Sequence, residues 1–343
     1  MKIIHIITRS DLGGAQTVVI NLANGMCVEN QVIVIAGEDG PMWNSLDKKI
    51  KQIKMKCIVR PISIINDIKT FLRFKRLFKQ EKPDIIHLHS SKIGILGRLA
   101  FPSPRVIYSV HGFDSIRIAY RSFLVFEKML KNKCKAIVVA SDYDKKNLIK
   151  EGIKNNIHII YNGIIPPINN KDIIIGKIKN YNKKIIMCIA RISPQKRFES
   201  YIKIAKLLPK YCFVWIGADK EYDNLPDNLI CLRGVPDAQK YIQLADIFVY
   251  PSNYEGIPIV IIDAISYGKP VVSSNVGGIS EIVINNKNGF VIENNEQIFV
   301  EKIQYILDNE NVYKEYSEYS KHLFNENYIA SKMVQEYMKI YRS

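Results

Sequence analysis

Short runs rich in isoleucine and valine alternate with helix-length amphipathic segments along most of the 343-residue chain. Six of these runs occupy the front half, at residues 3–8, 31–36, 85–89, 106–111, 135–140 and 157–161. They are apolar at successive positions, as the strands of a parallel sheet are when helices cover both of its faces. The pattern therefore predicts an α/β fold with a doubly wound sheet.

The alternation stops once and then starts again. Residues 163–184 contain two prolines, several asparagines and little hydrophobic periodicity, which is typical of a linker. Six further runs follow, at residues 184–190, 213–217, 228–233, 247–251, 270–274 and 290–293. We predict a first domain over residues 1–165, a linker over 166–183, a second domain over 184–325 and a helical tail over 326–343 that packs back on the first domain. Two such domains would face each other across a cleft, with ligands at the carboxyl ends of their strands.

Positive charge is concentrated in the front half of the chain. Residues 1–168 carry 27 lysine and arginine side chains against 13 aspartate and glutamate side chains, a net charge of +14. The remainder carries 22 against 20, a net charge of +2. This asymmetry predicts that the two domains meet different partners.

Neither a membrane-spanning helix nor a disulfide framework is expected. No run of about 18 apolar residues occurs, and the apolar start of the chain lacks a small-residue cleavage site, so we interpret it as the first strand. The cysteines are scattered, with no Cys-x-x-Cys pair and no histidine at metal-site spacing, which indicates reduced core residues in a cytoplasmic protein. They are Cys27, Cys57, Cys134, Cys188, Cys212 and Cys231.

Three residues of the first domain are candidates for a binding site. Gly13 and Gly14 follow the first predicted strand and precede a helix, so the backbone could approach an anion at the helix amides. A tight strand-to-helix turn would need the same glycines. His111 ends another strand beside a glycine, where α/β active sites lie, although a histidine bonded within a turn would fit equally. His87 and His89 share one face of their strand, but no third ligand is evident, so we interpret them as structural.

A cationic loop follows the first strand of the second domain. Arg191 and Lys196 lie just before a helix that is predicted to begin near Phe198. Arginine binds phosphate oxygens bidentately and lysine binds them as a point charge, so cations beside a helix N-terminus favour a diphosphate. A solvated basic loop is the alternative, and the position after a core strand favours the binding site.

The most specific segment of the sequence covers residues 251–272. Glu255 lies in the loop after a strand, and the helix that follows offers the free amides of Ile259 and Val260. Asp263 stands one turn into this helix among isoleucine and alanine, where a buried acid needs a hydrogen-bonding partner. A ribose diol would supply two donors, and a backbone partner inside the protein is the alternative.

Asp142 and Asp144 match the Asp-x-Asp pattern with which other nucleotide-sugar enzymes hold a metal. Here the pair follows a strand and Ser141, which is a good helix N-cap. Acidic residues in the first turn of a helix interact favourably with its dipole. We therefore interpret the pair as a helix start and predict no metal site.

These residues together resemble the retaining glycosyltransferases of family 4, which share the two-domain GT-B fold built from Rossmann-like domains. The resemblance covers nearly the whole chain, and the motifs occur in the order typical of the family. They are Gly13-Gly-Ala15, Val110-His-Gly-Phe-Asp114, Asn162-Gly163, Ala190-Arg-Ile-Ser-Pro-Gln-Lys196, Leu244-Ala-Asp-Ile-Phe-Val-Tyr-Pro-Ser252, Glu255-Gly-Ile-Pro258 and Asn275-Val-Gly-Gly278 with Glu281.

The resemblance implies roles for the candidates in the second domain. Arg191 and Lys196 would hold the diphosphate of the donor and neutralise the departing nucleoside diphosphate without a metal. Glu255 would contact the transferred sugar. The backbone amides near Ile259 and Val260 would face the phosphates.

The resemblance also implies roles for Asp263 and for the three candidates of the first domain. The chain departs from the family pattern at two places. Asp263 would bind the ribose, His111 would lie near the reacting sugar, and Gly13 and Gly14 would admit the phosphates and the acceptor. The family usually has glutamate where this chain has Asp263, so the shorter side chain shifts the ribose contact or bridges it by water. The common Gly-Asp-Gly after the second strand is replaced by Gly217-Ala-Asp219.

Two basic amphipathic segments of the first domain could bind an anionic membrane surface. In this fold the first domain receives the acceptor. Residues 66–79 place Ile68, Phe71, Leu72, Lys75 and Phe78 at helical spacing, and residues 117–135 contain Phe123, Phe126, Met129 and Leu130. We assign the apolar stripes mostly to the core and the excess charge to an anionic membrane surface that carries the acceptor.

The combined prediction is a retaining, metal-independent glycosyltransferase with no cofactor. It would move a hexose or N-acetylhexosamine from a nucleotide sugar, UDP-linked by family prevalence, to a lipid-linked saccharide of a bacterial surface polysaccharide such as O-antigen or capsule. It would be cytoplasmic and peripheral on the inner face of the cell membrane. A nucleotide-sugar epimerase or hydrolase on the same fold would need no acceptor. A nucleic-acid-binding protein would use the positive charge, but neither stacking aromatics nor a recognised module accompanies the basic residues.

Overall fold

A computed structural model describes residues 1–168 and 183–343, which form two compact units. The N-terminal unit consists of Met1–Ile165 and Ile329–Ser343, and the C-terminal unit consists of Pro166–Tyr328. The C-terminal segment of the chain thus lies in the N-terminal unit. The central part of the predicted linker, residues 169–182, lies outside the described residues.

The N-terminal unit contains a seven-stranded parallel sheet in the order β3-β2-β1-β4-β5-β6-β7. Its strands are β1 Lys2–Ile7, β2 Gln31–Ala36, β3 Lys51–Lys54, β4 Ile85–His89, β5 Val106–Val110, β6 Ala136–Val139 and β7 Ile157–Ile159. The sequence runs predicted six of them and missed β3. Three of the four β3 residues are exposed, because an edge strand covered by few neighbours needs no apolar pattern.

The C-terminal unit contains a six-stranded parallel sheet in the order β10-β9-β8-β11-β12-β13. Its strands are β8 Ile185–Ile189, β9 Cys212–Ala218, β10 Leu229–Arg233, β11 Ile247–Tyr250, β12 Val271–Ser274 and β13 Gly289–Ile292. All six lie at the apolar runs of the sequence. Both units are therefore doubly wound Rossmann-like α/β folds, as predicted.

Within residues 1–168 and 183–343, ten α-helices connect these strands and continue after the last one. They are α1 Gly14–Met26, α2 Ile64–Glu81, α3 Ser91–Ala100, α4 Ser122–Met129, α5 Asp142–Lys150, α6 Phe198–Leu207, α7 Ile259–Ser266, α8 Glu296–Leu307, α9 Glu310–Asn327 and α10 Ala330–Arg342. In the described parts of the chain, no helix is both long enough and apolar enough to cross a bilayer.

Helix α10 packs on the N-terminal unit, against α1. Gly25 of α1 permits this approach, because a Cβ there would lie 2.7 Å from Cγ2 of Val334. At the start of α10, the isolated bridge between Ile164 and Ile329 ties the two ends of the unit together.

The apolar stripes of α2 and α4 differ from the prediction, which assigned them mostly to the core. Three phenylalanines, Phe71, Phe78 and Phe123, pack against the core, and Leu130 is buried. Other members of the same stripes are exposed. They are Ile68 at 56%, Leu72 at 59%, Phe126 at 49% and Met129 at 72%.

Strand order places one reversal of winding in each sheet. In the N-terminal unit the reversal lies between β1 and β4, and in the C-terminal unit it lies between β8 and β11. The loops that leave the carboxyl ends of such neighbouring strands diverge and open a crevice for ligands. Each of these four loops carries or adjoins residues that the sequence singled out.

Candidate active site

Two loops of the C-terminal unit meet at the reversal point of its sheet. The loop after β8 carries Arg191 and a 3-10 turn, Pro194–Lys196, and the loop after β11 carries Glu255. Gln195 joins the loops by donating through Nε2 to the carbonyl of Tyr254 at 2.7 Å. In return the amide of Asn253 donates to the carbonyl of Gln195 at 2.8 Å. The backbones of the two loops are thereby held in one arrangement.

Lys196 and Glu255 form an ion pair between these loops. The lysine Nζ also donates to the hydroxyl of Tyr250 at 2.6 Å and lies 4.9 Å from the centre of that ring. Ser252 donates through Oγ to Oε1 of Glu255 at 2.6 Å. The side chains of the pair are only 17% and 8% exposed, so charges of both signs are concentrated in a largely desolvated place.

Two glycines let the loops approach their neighbours. Gly277 has φ of 60°, and a Cβ there would lie 2.0 Å from the carbonyl oxygen of Glu255. Gly217 has φ of 122°, and a Cβ there would lie 2.4 Å from the carbonyl oxygen of Ala190, next to Arg191. Larger residues would displace the backbone beside both charged side chains.

Arg191 is exposed. Within the described residues, its guanidinium makes no hydrogen bond or ion pair. The neighbouring Arg197 instead lies 3.7 Å from Glu296 and donates to Asn253 at 3.3 Å. Of these two arginines, Arg191 is therefore the one whose donors are available to an anion.

Helix α7 begins directly after this loop, and no side chain caps it. The first amides of a helix lack intrahelical partners, so those of Ile259 and Val260 are available to acceptor oxygens. Asp263 follows Ile259 by four residues and Val260 by three, so the three residues lie on the same face of the helix. The helix predicted to follow the Glu255 loop is confirmed, and Pro258 is its N-cap.

Asp263 is half-buried, and desolvation raises the pKa of its carboxyl to about 7. Among the described residues no side chain or backbone group forms a hydrogen bond or ion pair with this carboxyl. The alternative of a backbone partner is therefore wrong for the described part of the chain. Within the described residues, the Asp263 carboxyl is thus a hydrogen-bond acceptor to which no protein group donates.

Asp219, at the place of the usual Gly-Asp-Gly, bonds locally. Its carboxylate accepts from the hydroxyl of Tyr222 at 3.1 Å, and its backbone carbonyl accepts from Arg233 at 3.3 Å.

In the N-terminal unit, Gly13 and Gly14 lie at the start of α1, and no side chain caps the helix. Thr8 and Ser90 link the loops after β1 and β4 through a hydroxyl pair at 2.6 Å. A Cβ at Gly13 would lie 2.9 Å from Oε1 of Gln16, so the turn is tight, as the alternative interpretation required. The uncapped amides are compatible with an anion as well.

His111 lies after β5 and touches a histidine cluster that the sequence interpretation missed. His5 on β1 joins His87 and His89, and one nitrogen of each ring lies within 4.8 Å of the others. The sequence analysis found no third ligand beside His87 and His89, and His5 supplies a third imidazole at that place. Pairing of β1 with β4 aligns His5 with His87, and this register could have suggested the cluster. Both nitrogens of His87 and both of His89 already have hydrogen-bonding partners in the protein.

The Asp-x-Asp segment forms the start of α5, as predicted. Ser141 is the N-cap and accepts from the amide of Asp144 at 3.0 Å. Asp142 pairs with Lys146 at 2.6 Å. Asp144 also accepts from the amide of Phe113 at 2.9 Å and so supports the loop that contains His111.

Two protein-family models match this chain. A model described as Glycosyltransferase Family 4 matches residues 12–166, and one described as Glycosyl transferases group 1 matches residues 170–323. Together they span both units.

Two relatives and one solved structure illustrate the similarity. The chain is 31% identical over 335 residues to the Escherichia coli protein named UDP-Gal:alpha-D-GlcNAc-diphosphoundecaprenol alpha-1,3-galactosyltransferase, covering 86% of this chain and 85% of that protein. It is 26% identical to the O-antigen biosynthesis glycosyltransferase WbnH of Escherichia coli, covering 90% of this chain and 91% of that protein. The crystal structure of Anabaena Alr3699/HepE in complex with UDP and glucose matches with a TM-score of 0.84 at 19% identity, covering 100% of both chains.

Proposed function

Since the chain belongs to the family 4 glycosyltransferases of the GT-B fold, we propose that it transfers a hexose or N-acetylhexosamine from a UDP-sugar to a lipid-linked saccharide. The transfer retains the anomeric configuration and needs no metal. The product belongs to a bacterial surface polysaccharide, either O-antigen or capsule. The observation that carries the proposal is the Lys196–Glu255 pair at the reversal point of the second sheet, beside the exposed Arg191 and the uncapped helix α7.

The arrangement is suited to a diphosphate leaving group. Arg191, Lys196 and the first amides of α7 supply positive charge and donors where negative charge develops as the glycosidic bond breaks. Glu255 is held by Ser252 and Lys196 and accepts hydrogen bonds from the transferred sugar. These cations lie at one end of the sheet and neutralise the diphosphate, which supports a metal-independent reaction.

The relatives support the choice of donor and acceptor. One relative carries UDP-Gal and an undecaprenol-diphosphate-linked GlcNAc in its name, and a solved structure of the same fold holds UDP and glucose. A nucleotide-sugar epimerase or hydrolase would use the donor alone. The test is therefore incubation with UDP- and GDP-sugars, with and without an undecaprenol-diphosphate-linked GlcNAc, in buffer containing EDTA.

We expect elongation of the lipid-linked saccharide with one UDP-sugar, undiminished by EDTA, and an α-linkage by NMR when the donor is an α-linked sugar. Release of free sugar or of an epimer in the absence of acceptor would favour the epimerase or hydrolase. Loss of activity in EDTA that returns with a divalent cation would contradict the metal-independent reaction.

Asp263 provides a pH-dependent prediction. A ribose diol donates hydrogen bonds to the ionised carboxylate, and the raised pKa of about 7 leaves most of the free protein protonated at pH 6. Binding therefore releases a proton, and we expect donor affinity to rise about tenfold from pH 6 to pH 8 and then to level. Calorimetry with an intact UDP-sugar, whose diphosphate does not titrate in this range, measures the change. Asp263→Asn should flatten the dependence, and an equally steep dependence in that variant would contradict the ribose contact.

The exposed stripes of α2 and α4 support attachment to the inner face of the cell membrane. On α2, apolar side chains that are 56–76% exposed lie among lysine and arginine side chains. Helix α4 also carries exposed apolar side chains next to basic ones. The α2 residues are Ile64, Ile68 and Leu72 with Lys69, Arg73 and Lys75, and the α4 residues are Val125, Phe126 and Met129 with Arg121 and Lys128. Basic helices with an exposed apolar face bind anionic lipid surfaces.

Leu72→Glu should weaken binding to phosphatidylglycerol vesicles by at least about tenfold at low salt, because it removes apolar burial and adds repulsion. Vesicle sedimentation measures the loss. The matched control is Leu207→Glu, which makes the same change at an exposed leucine of the C-terminal unit and should bind like the unmodified protein. Equal binding of all three proteins would contradict attachment through α2.

A further inference from the structure

Three neighbouring strands of the N-terminal sheet bring four imidazoles together, those of His5 on β1, of His87 and His89 on β4, and of His111 directly after β5. His5 pairs in register with His87, and His89 pairs with Ser109, two residues before His111. Residues two apart on a strand share a face. The sheet thus brings together histidines from distant parts of the chain, since His5 and His89 are 84 residues apart.

Three of these imidazoles form a hydrogen-bonded chain. Nδ1 of His5 lies 3.1 Å from Nε2 of His89, and Nδ1 of His89 lies 3.2 Å from Nε2 of His111. Burial lowers the pKa of His5 to about 3 and that of His111 to about 4, and lowers the pKa of His89 well below its usual range. All three rings are therefore neutral near pH 7, and each carries one N–H. The position of the proton on one ring then determines its position on the next.

The two ends of the chain are not equivalent. Nε2 of His5 is buried without a hydrogen-bonding partner, whereas His111 is half-buried. A proton on Nε2 of His5 would leave a buried N–H unsatisfied, which proteins rarely tolerate. The proton of His5 is therefore favoured on Nδ1, from which it is donated to His89, and His89 in turn donates from Nδ1 to Nε2 of His111.

We propose that His89, backed by His5, is a positioning residue that holds His111 in its Nδ1–H tautomer. His111 then carries a fixed neutral N–H donor at Nδ1, and the use of this donor in sugar transfer rests on the proposed function. Free imidazole side chains in water favour the Nε2–H form, so the protein must impose the other tautomer.

The surroundings hold the ring of His89 in place. The ring centre of His87 lies 3.7 Å from that of His89. His87 is in turn fixed by Ser109 at 2.7 Å and by the hydroxyl of Tyr341 on α10 at 2.6 Å. The His87 ring, held by Ser109 and Tyr341, therefore restricts rotation of the His89 ring.

The test is ¹⁵N NMR of full-length protein labelled in histidine, with His111 assigned by the signals that disappear in His111→Gln. Unmodified protein should show His111 protonated at Nδ1. His89→Leu should shift His111 toward the Nε2–H form, whereas His89→Gln should preserve Nδ1–H because its amide can donate and accept in the same line. His158→Leu is the control, an exposed histidine on β7 of the same sheet that lies outside the histidine cluster, and it should leave the tautomer of His111 unchanged.

Kinetics with the UDP-sugar that supports transfer in the assay proposed above give a second readout. His89→Leu should lower kcat/KM by about 10-fold or more, as removal of a group that orients a functional imidazole does elsewhere, and His89→Gln should restore most of it. An Nε2–H tautomer of His111 in the unmodified protein, or an unchanged tautomer in His89→Leu, would overturn the proposal. If His89→Leu does not fold, the tautomer in the unmodified protein and in His89→Gln decides. Absence of transfer activity with every donor would contradict the proposed function and leave the tautomer measurement intact.

Discussion

Lys196→Ala is expected to lower kcat/KM for sugar transfer by on the order of 10²- to 10³-fold, the loss that follows removal of a preorganised charge at a developing anion. Lys196 is the least exposed cation of the candidate site and is held by Glu255 and Tyr250, so little reorganisation is needed when the diphosphate departs. Initial rates with the lipid-linked acceptor measure the effect.

The control for this variant is Lys206→Ala, which removes an equal charge from the exposed last turn of α6. It should retain full activity. Because Lys196→Ala also leaves the Glu255 carboxylate without its cation, a loss of stability of about 3 kcal/mol is expected, and thermal unfolding must show that the variant is folded at the assay temperature. A folded Lys196→Ala protein with less than tenfold lower kcat/KM would contradict the role of Lys196 at the leaving group.

Glu255→Gln tests the other half of the pair. The amide keeps the size of the side chain and can still accept from Ser252, but it loses the charge that faces Lys196 and the transferred sugar. In the double variant Lys196→Ala/Glu255→Gln the combined loss of activity should be smaller than the sum of the two single losses, because neither charge is left unpaired.

Arg98→Met should lower the free energy of unfolding of the N-terminal unit by about 3–5 kcal/mol. The side chains of Arg98 and Glu127 are 0% and 3% exposed and lie 2.6 Å apart. Tyr108 donates to the other oxygen of Glu127 at 3.0 Å, and its ring centre lies 4.3 Å from the Arg98 guanidinium. Removal of the cation leaves a buried carboxylate with one neutral donor.

Urea unfolding of single-tryptophan proteins separates the units, because Trp43 lies in the N-terminal unit and Trp215 in the C-terminal unit. The loss should appear with Trp43 and be absent with Trp215. Arg98→Met/Glu127→Leu should recover most of the stability, since no lone charge remains. Lys210→Met, which breaks the half-exposed pair with Asp308, should cost less than about 1 kcal/mol. Equal losses in Arg98→Met and Lys210→Met would contradict the account of burial.

The sequence predicted the strands well where both faces of a strand are buried. Strands β1, β4 and β5 are apolar runs because helices cover both sides of the sheet. The same reasoning could not find β3, whose exposed polar residues resemble those of a loop.

Helical periodicity identified the apolar stripes of α2 and α4 without showing what covers them. Phe71 packs on the core, whereas Leu72, its neighbour in the same stripe, is exposed. An apolar stripe that is wider than the area of contact between helix and sheet stays partly exposed. Which of its residues are exposed depends on how the helix is rotated on the sheet.

Local sequence patterns were enough to predict the two α/β units, the loops that carry charge and the helix start at α7, because these depend on residues close together in the chain. Which of those residues meet depends on the order of the strands in each sheet. Lys196 and Glu255 pair because β8 and β11 are neighbours in the sheet. His5 contacts His89, and His89 contacts His111, because β1, β4 and β5 lie side by side. Hydrogen bonds and ion pairs act over a few ångströms, so contacts between distant segments follow from strand order and register, which local patterns do not contain.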